Sequence, residues 1–242
     1  MASVKNCSPN RLNSLGADHG NVSSKEGKPV LTYLIIVVCV VVMIHLSTLP
    51  QGTSNVLYDE YALRPSYLVH GLHVISVVTY MFLHADWVHL LVNSFALWGV
   101  GTVIEKSVGS FKFGIVFIVS GVIAGLGHTI LNLTSSDPLV GASGAIFGVL
   151  ALVFLLEPFK LTPLFVVPLP AFLVGLLMVS VEVAAIIWAQ APLIAHDAHL
   201  IGFAAGAVGA FWIDKRKALK GLVIAATVII LLYVIAVFFN II

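Results

Sequence analysis

Long apolar runs separated by short polar breaks set out the elements of this chain. Residues 30–49 are almost uninterruptedly apolar, enough at about 1.5 Å per helical residue to cross a hydrocarbon layer about 30 Å thick. A polar loop occupies 50–64. From 65 to 85 the apolar positions are broken by His70, His73 and His84, which predicts interfacial or re-entrant structure rather than a full crossing. Further runs predict a second span over 87–103, a third over 113–133 and a short fourth over 143–156. A fifth covers 164–188, entered through Pro168 and Pro170, a sixth 199–213 and a seventh 221–242.

Composition bears this pattern out. The 242 residues are 60% hydrophobic and only 10% charged, with a mean hydropathy of +1.07, whereas soluble domains are about a quarter charged. The chain is therefore expected to be an all-α polytopic membrane protein. Its first 29 residues are rich in Ser, Asn and Gly and predict a flexible tail. Their polarity argues against a cleaved signal peptide, which needs an apolar stretch near the N-terminus. A net charge of +1 says nothing about nucleic acid and there is no basic run that would, so no nucleic-acid partner is expected. Cys7 and Cys39 belong to different environments and imply no disulfide framework.

Charge also orients the chain. Lys5, Arg11, Lys25 and Lys28 precede the first span, Lys106 and Lys112 join the second to the third, and Lys160 joins the fourth to the fifth. Lys215, Arg216, Lys217 and Lys220 join the sixth to the seventh, which leaves Arg64 alone on the other side. Positive residues mark the cytoplasmic face. The tail is thus expected in the cytoplasm and the C-terminus outside. The division that follows is a tail over 1–29, a six-span core over 30–216 and a seventh helix over 217–242.

Depth brings candidate chemistry together. Spans two, four and six descend to acidic residues at the cytoplasmic border, Glu105, Glu157 and Asp214. His89, Ser143 and His199 stand 16, 14 and 15 residues before them, so all three lie roughly 21–24 Å above that border. Polar groups at such depth cost several kcal/mol unless partnered, and are functional candidates by default. Gly144 and Gly148 offer a small-residue face to Gly202, Gly206 and Gly209. Contact between these faces is expected to bring the Ser143 hydroxyl to a His199 ring nitrogen, the pairing a serine nucleophile needs. Asp197 falls toward the loop and no carboxylate is expected level with the imidazole. The arrangement is therefore a Ser–His dyad, with Phe147, one turn below Ser143, stacking on the ring. Donors for an oxyanion are the Ser143 amide at a helix N-terminus, the Asn93 side chain and the His89 ring.

Simpler readings accompany each residue. Ser143 in Gly141-Ala142-Ser143-Gly144 also suits a packing position, and His89 with Asn93 a plain interhelical hydrogen bond. His84 and Trp87 suit the interface, His70, His73 and His128 the boundary, and Glu182, inside span five, a water-filled cavity. Asn132-Leu133-Thr134 matches a glycosylation acceptor. Nine histidines and the His196-x-x-His199 pair raise a metal-dependent hydrolase or transporter. That reading lacks an H-E-x-x-H and an acidic ligand level with the histidines, so no metal and no cofactor is expected.

These motifs together resemble those of rhomboid intramembrane serine proteases. The matches are His89-x-x-x-Asn93, Gly141-x-Ser143-Gly144 and Ala198-His199-x-x-Gly202, with His84 five residues before the first and Gly101-x-x-x-Glu105 closing span two. The resemblance covers residues 65–216 and implies a rhomboid-like six-helix bundle, here with one extra C-terminal transmembrane helix. It implies cleavage of other membrane proteins in or near their transmembrane segments, often beside small residues, with these substrates entering from the lipid past a mobile span five. It assigns Ser143 as nucleophile, His199 as base, and His89 and Asn93 to the oxyanion, with Gly141, Gly144, Phe147 and Gly202 in support. Its partners are transmembrane proteins and membrane lipids, and its setting is the plasma membrane of a prokaryote. Phe147 stands where many bacterial members carry tyrosine, and the Trp-Arg pair of their outer loop is absent. A non-catalytic relative that only binds membrane proteins would be expected to lack the serine or the histidine.

Overall fold

The structure, a computed structural model, describes residues 27–164, 167–188 and 194–239. The tail over 1–26 lies outside the described residues, as do the last three positions. Among the described residues ten helices follow one another: α1 (Val30–Thr48), α2 (Gln51–Tyr61), α3 (Pro65–Val69), α4 (Ser76–Thr79), α5 (Trp87–Val108), α6 (Ser110–Leu131), α7 (Ser143–Leu156), α8 (Ala171–Ile187), α9 (His196–Ile213) and α10 (Lys215–Phe238). A hairpin of β1 (Leu161–Leu164) and β2 (Val167–Pro170) stands between α7 and α8. The protein is an all-α polytopic membrane protein apart from that hairpin.

By length and composition α1, α5, α6 and α10 suffice to cross a membrane, while α7 and α8 are shorter apolar helices. The opening turn of α9 carries His196, Asp197 and His199, which makes its N-terminal end polar. Where a re-entrant stretch was expected, α3, α4 and a 3-10 turn at Tyr80–Phe82 supply short pieces and no crossing helix. The Tyr80 hydroxyl donates to the Gly121 carbonyl at 2.7 Å and ties this stretch to α6.

Three expected boundaries move. Span five was expected from residue 164, but helix begins only at Ala171. Pro163, Pro168 and Pro170 remove amide donors and disfavour helical backbone before them, and the segment pairs as a hairpin with Pro163 opposite Pro168. The sixth helix starts at His196 rather than 199. The seventh starts at Lys215 rather than 221, because the Asp214 carboxylate accepts from the Lys217 amide and caps a charged first turn. The loop over 50–64 also holds a helix, α2, with no buried residue to announce it in the apolar pattern.

α7 forms the centre. Eleven of its 14 residues are buried, and it packs on α5, α6, α8, α9 and α10. A Cβ added to Gly202 would lie 2.0 Å from the Gly144 carbonyl oxygen, and one on Gly206 2.0 Å from that of Gly148. α7 and α9 therefore meet backbone to backbone, as small residues allow in a bilayer. Gly221 brings α10 against the Leu155 carbonyl in the same way. At the opposite end from Ser143, Glu105 is 1% exposed. Its carboxylate accepts from the amides of Leu31 and Thr32, both at 2.8 Å, and from the Thr32 and Ser110 hydroxyls. Since α1 has no side-chain cap of its own, a residue of α5 satisfies its first amides.

Candidate functional site

The site begins at a backbone turn that only glycine makes without strain. Gly141 has φ +111°, and its amide donates to the Tyr80 carbonyl at 3.0 Å. A Cβ there would lie 2.8 Å from Cε1 and Nε2 of His89, so conformation and space both exclude a side chain. The turn delivers the chain into α7 with Ser143 as its first residue and Ala142 as N-cap. The amides of this first turn have no acceptor within the helix.

The α7–α9 glycine seam brings the heads of the two helices together. Ser143 Oγ lies 2.7 Å from His199 Nε2. The Phe147 ring stacks on the His199 ring, with centroids 4.6 Å apart and planes at 7°. His89 is held at the start of α5, where its amide donates to the Asp86 carboxylate at 2.8 Å. Asn93 is buried and donates one N–H to the His89 carbonyl at 3.0 Å. A carboxamide carries two N–H groups, and this nitrogen lies 3.7 Å from a Cβ built on Gly141. Ser143, His199, Phe147, His89, Asn93 and Gly141 thus cluster at one end of the bundle, and Gly144 and Gly202 set the helix spacing beneath. Among the described residues, neither His89 nor Asn93 hydrogen-bonds Ser143 directly. His84 packs edge-on to His89, with centroids 5.2 Å apart. Burial, with the nearby His89 second, pushes its imidazole down to about 4, so it is neutral near pH 7.

One expectation is overturned. No carboxylate was expected at the level of His199, yet Glu182 of α8 reaches it. Glu182 Oε1 lies 3.0 Å from His199 Nδ1, in ion-pair range though the ring N–H is not aligned on that oxygen. Its other oxygen accepts a hydrogen bond from His196 Nδ1. Spans two, four and six carry no carboxylate at that level, and the one that reaches His199 comes instead from α8, eleven residues after Ala171. Glu182 is also an acidic residue level with the histidines, which the metal reading was expected to lack. Glu182, His196 and His199 bring one ligand atom each within 4.8 Å of one another, and are where a cation would find ligands.

Asp197, next along, faces the other way. It accepts from His128 Nδ1 at 2.8 Å and from Asn132 Nδ2 at 2.9 Å, joining α9 to α6. His128 is therefore a partner between helices and not a free boundary residue. Asn132 also donates to the His128 carbonyl, which engages the amide a glycan would need.

A family model described as the Rhomboid domain matches residues 72–216, more than half of the chain. The Rhomboid protease GluP of Bacillus subtilis (strain 168) is 30% identical over 126 residues, covering 52% of this chain and 24% of the relative. The Rhomboid protease GlpG of Yersinia pseudotuberculosis serotype I is 28% identical over 195 residues, covering 78% of this chain and 64% of the relative. Inactive rhomboid protein 2 of Homo sapiens is 34% identical over 131 residues, covering 54% of this chain and 15% of the relative. The chain spans 24%, 39% and 42% of the lengths of three curated relatives, from Bacillus, Arabidopsis and Saccharomyces. With the domain match extending over most of the bundle and over every motif of the site, the chain belongs to the rhomboid family.

Proposed function

We propose that this chain is an intramembrane serine endopeptidase that hydrolyses peptide bonds in or near the transmembrane segments of other membrane proteins. The observation that carries the proposal is the 2.7 Å approach of Ser143 Oγ to His199 Nε2, from two helices that meet through glycines, in a chain similar to relatives named as proteases. Ser143 Oγ attacks the scissile carbonyl carbon as its proton passes to His199 Nε2. The resulting oxyanion takes hydrogen bonds from the Ser143 amide, an Asn93 N–H and the His89 ring. His199 then gives the proton to the leaving amine as the C–N bond breaks, and water releases the acyl group by the reverse sequence. No metal and no cofactor enters these steps.

Substrates reach the dyad from the lipid, and the enzyme works in the plasma membrane of a prokaryote. Its N-terminus is cytoplasmic and its C-terminus outside, because Lys106 at the end of α5, Lys112 at the start of α6, Lys160 after α7 and the basic residues opening α10 then fall on one face. Residues 30–216 form the catalytic core, and the C-terminal segment that follows braces it where Gly221 of α10 meets Leu155.

The test is cleavage of a membrane reporter with an easily unwound transmembrane segment by the full chain in liposomes. Wild type cleaves, Ser143→Ala does not, and its thermal unfolding is unchanged. Equal cleavage by both overturns the proposal. Binding of the reporter with no cleavage by either supports a non-catalytic role, as the similarity to a relative named inactive would favour.

A further inference from the structure

We propose that Glu182 is a positioning residue for His199, so that the site works as a serine–histidine–glutamate set with His196 holding the glutamate in place. The inference rests on the protease reading above. Glu182 is buried, at 8% exposure, on a helix that is apolar apart from it and Ser180. A carboxylate is kept at such depth only with partners, and the partners here are two imidazoles on one turn of α9. Oε2 is taken by His196 Nδ1, while Oε1 faces His199 Nδ1 at 3.0 Å. The opposite nitrogen of the same ring faces Ser143 Oγ at 2.7 Å.

This order fixes the tautomer. A carboxylate only accepts, so the nitrogen beside it carries the ring proton, and the other presents its lone pair to the hydroxyl. Without an acceptor at Nδ1 the imidazole is free to place its proton on Nε2, where it cannot take one from serine. Phe147 sets the plane of the ring but has no means of choosing the tautomer. When Nε2 takes the Ser143 proton, the ring becomes a cation between the carboxylate and the new Oγ–C bond. The proton on Nδ1 stays there and Glu182 stays ionised, so its contribution is orientation and charge, not proton transfer. The imperfect alignment of the Nδ1–H in the free protein matches catalytic hydrogen bonds that tighten only when substrate binds.

His196 completes the device. Its contact leaves Glu182 one oxygen for His199 and stops the side chain from turning toward lipid. His196 and His199 stand three residues apart, one helical turn, so a single carboxylate reaches both.

The experiment measures initial rates of reporter cleavage against reporter concentration in liposomes for wild type, Glu182→Gln, Glu182→Asp and Ser143→Ala. Glu182→Gln keeps the shape and removes the charge. It is expected to lower kcat by about 10²–10⁴-fold with KM and the unfolding temperature unchanged. Glu182→Asp, which keeps a shorter carboxylate, is expected to recover part of that loss. The inference is overturned by wild-type kcat in Glu182→Gln, by equal losses in the two variants, or by a loss that tracks a fall in unfolding temperature. Should Glu182→Gln not fold, Glu182→Asp decides, with a lowered kcat at unchanged KM supporting the role and a wild-type kcat removing it. Cleavage by Ser143→Ala would instead sink the protease reading. Inactive Ser143→Ala beside fully active Glu182→Gln would sink only the role of Glu182.

Discussion

Two carboxylate–histidine clusters share the first turn of α9 and look in opposite directions. Asp197 points to α6, where His128 and Asn132 close on it. Around it α6 and α9 are locked together. A Cβ on Gly127 would meet Ile201 at 2.7 Å, and one on Gly209 would meet Val116 at 2.9 Å. Glu182 comes from α8, which buries only Ala171, Val174, Gly175 and itself and leaves Leu177, Val181, Ile186, Ile187 and Trp188 facing outward. The chemistry of the two clusters is nearly the same, but the first is clamped between helices that cannot part and the second hangs on a lightly buried one. A polar contact of the first kind fixes helix positions. One of the second kind sets a side chain and responds when its helix moves.

The largest effect should come from the seam that both clusters depend on. Gly202→Leu places a side chain on a backbone carbonyl that no rotamer avoids, so its cost should exceed the about 1–3 kcal/mol of ordinary overpacking. Loss of folded protein in detergent is the expected result, and a folded, active Gly202→Leu would show that the helices can separate. Asp197→Ala should come next, lowering stability by about 1–3 kcal/mol by leaving His128 and Asn132 unpartnered, read by thermal unfolding. Set beside Glu182→Gln, which should slow cleavage and spare stability, it inverts the contrast if the two outcomes are exchanged. Glu105→Ala should cost about 0.5–2 kcal/mol, the range for a lost helix cap, with faster hydrogen exchange confined to the Leu31 and Thr32 amides. Uniform exchange throughout the bundle would make Glu105 a global tie. Phe147→Leu should be mildest, losing ring stacking worth about 0.5–1.5 kcal/mol, at most about tenfold in kcat. A loss as large as that of Glu182→Gln would move the orienting role to the phenylalanine.

The apolar runs made α1, α5, α6 and α7 legible, since continuous hydrophobicity over such lengths has few other uses. The meeting of Ser143 with His199 was legible because each stands 14 or 15 residues before an acidic residue that closes its apolar run. Glu182 was not, since span five closes on no such residue and its start was hidden by prolines in an apolar stretch that pairs as a hairpin. The partnership of His128 with Asp197 escaped for another reason. They lie 69 residues apart, and neither carries a spacing signal that names the other. α2 was missed because its polar sequence has no buried face to give it a period.

The small hairpin ahead of α8 has a consequence for life among many copies of the same chain. Leu161 and Val167 leave it with an oily, exposed surface, and an open strand edge of that kind invites neighbours to zip onto it. Three of its eight residues are prolines, which offer an incoming strand no amide to grip. A crowded bilayer therefore finds this edge sticky but unable to seed a growing sheet.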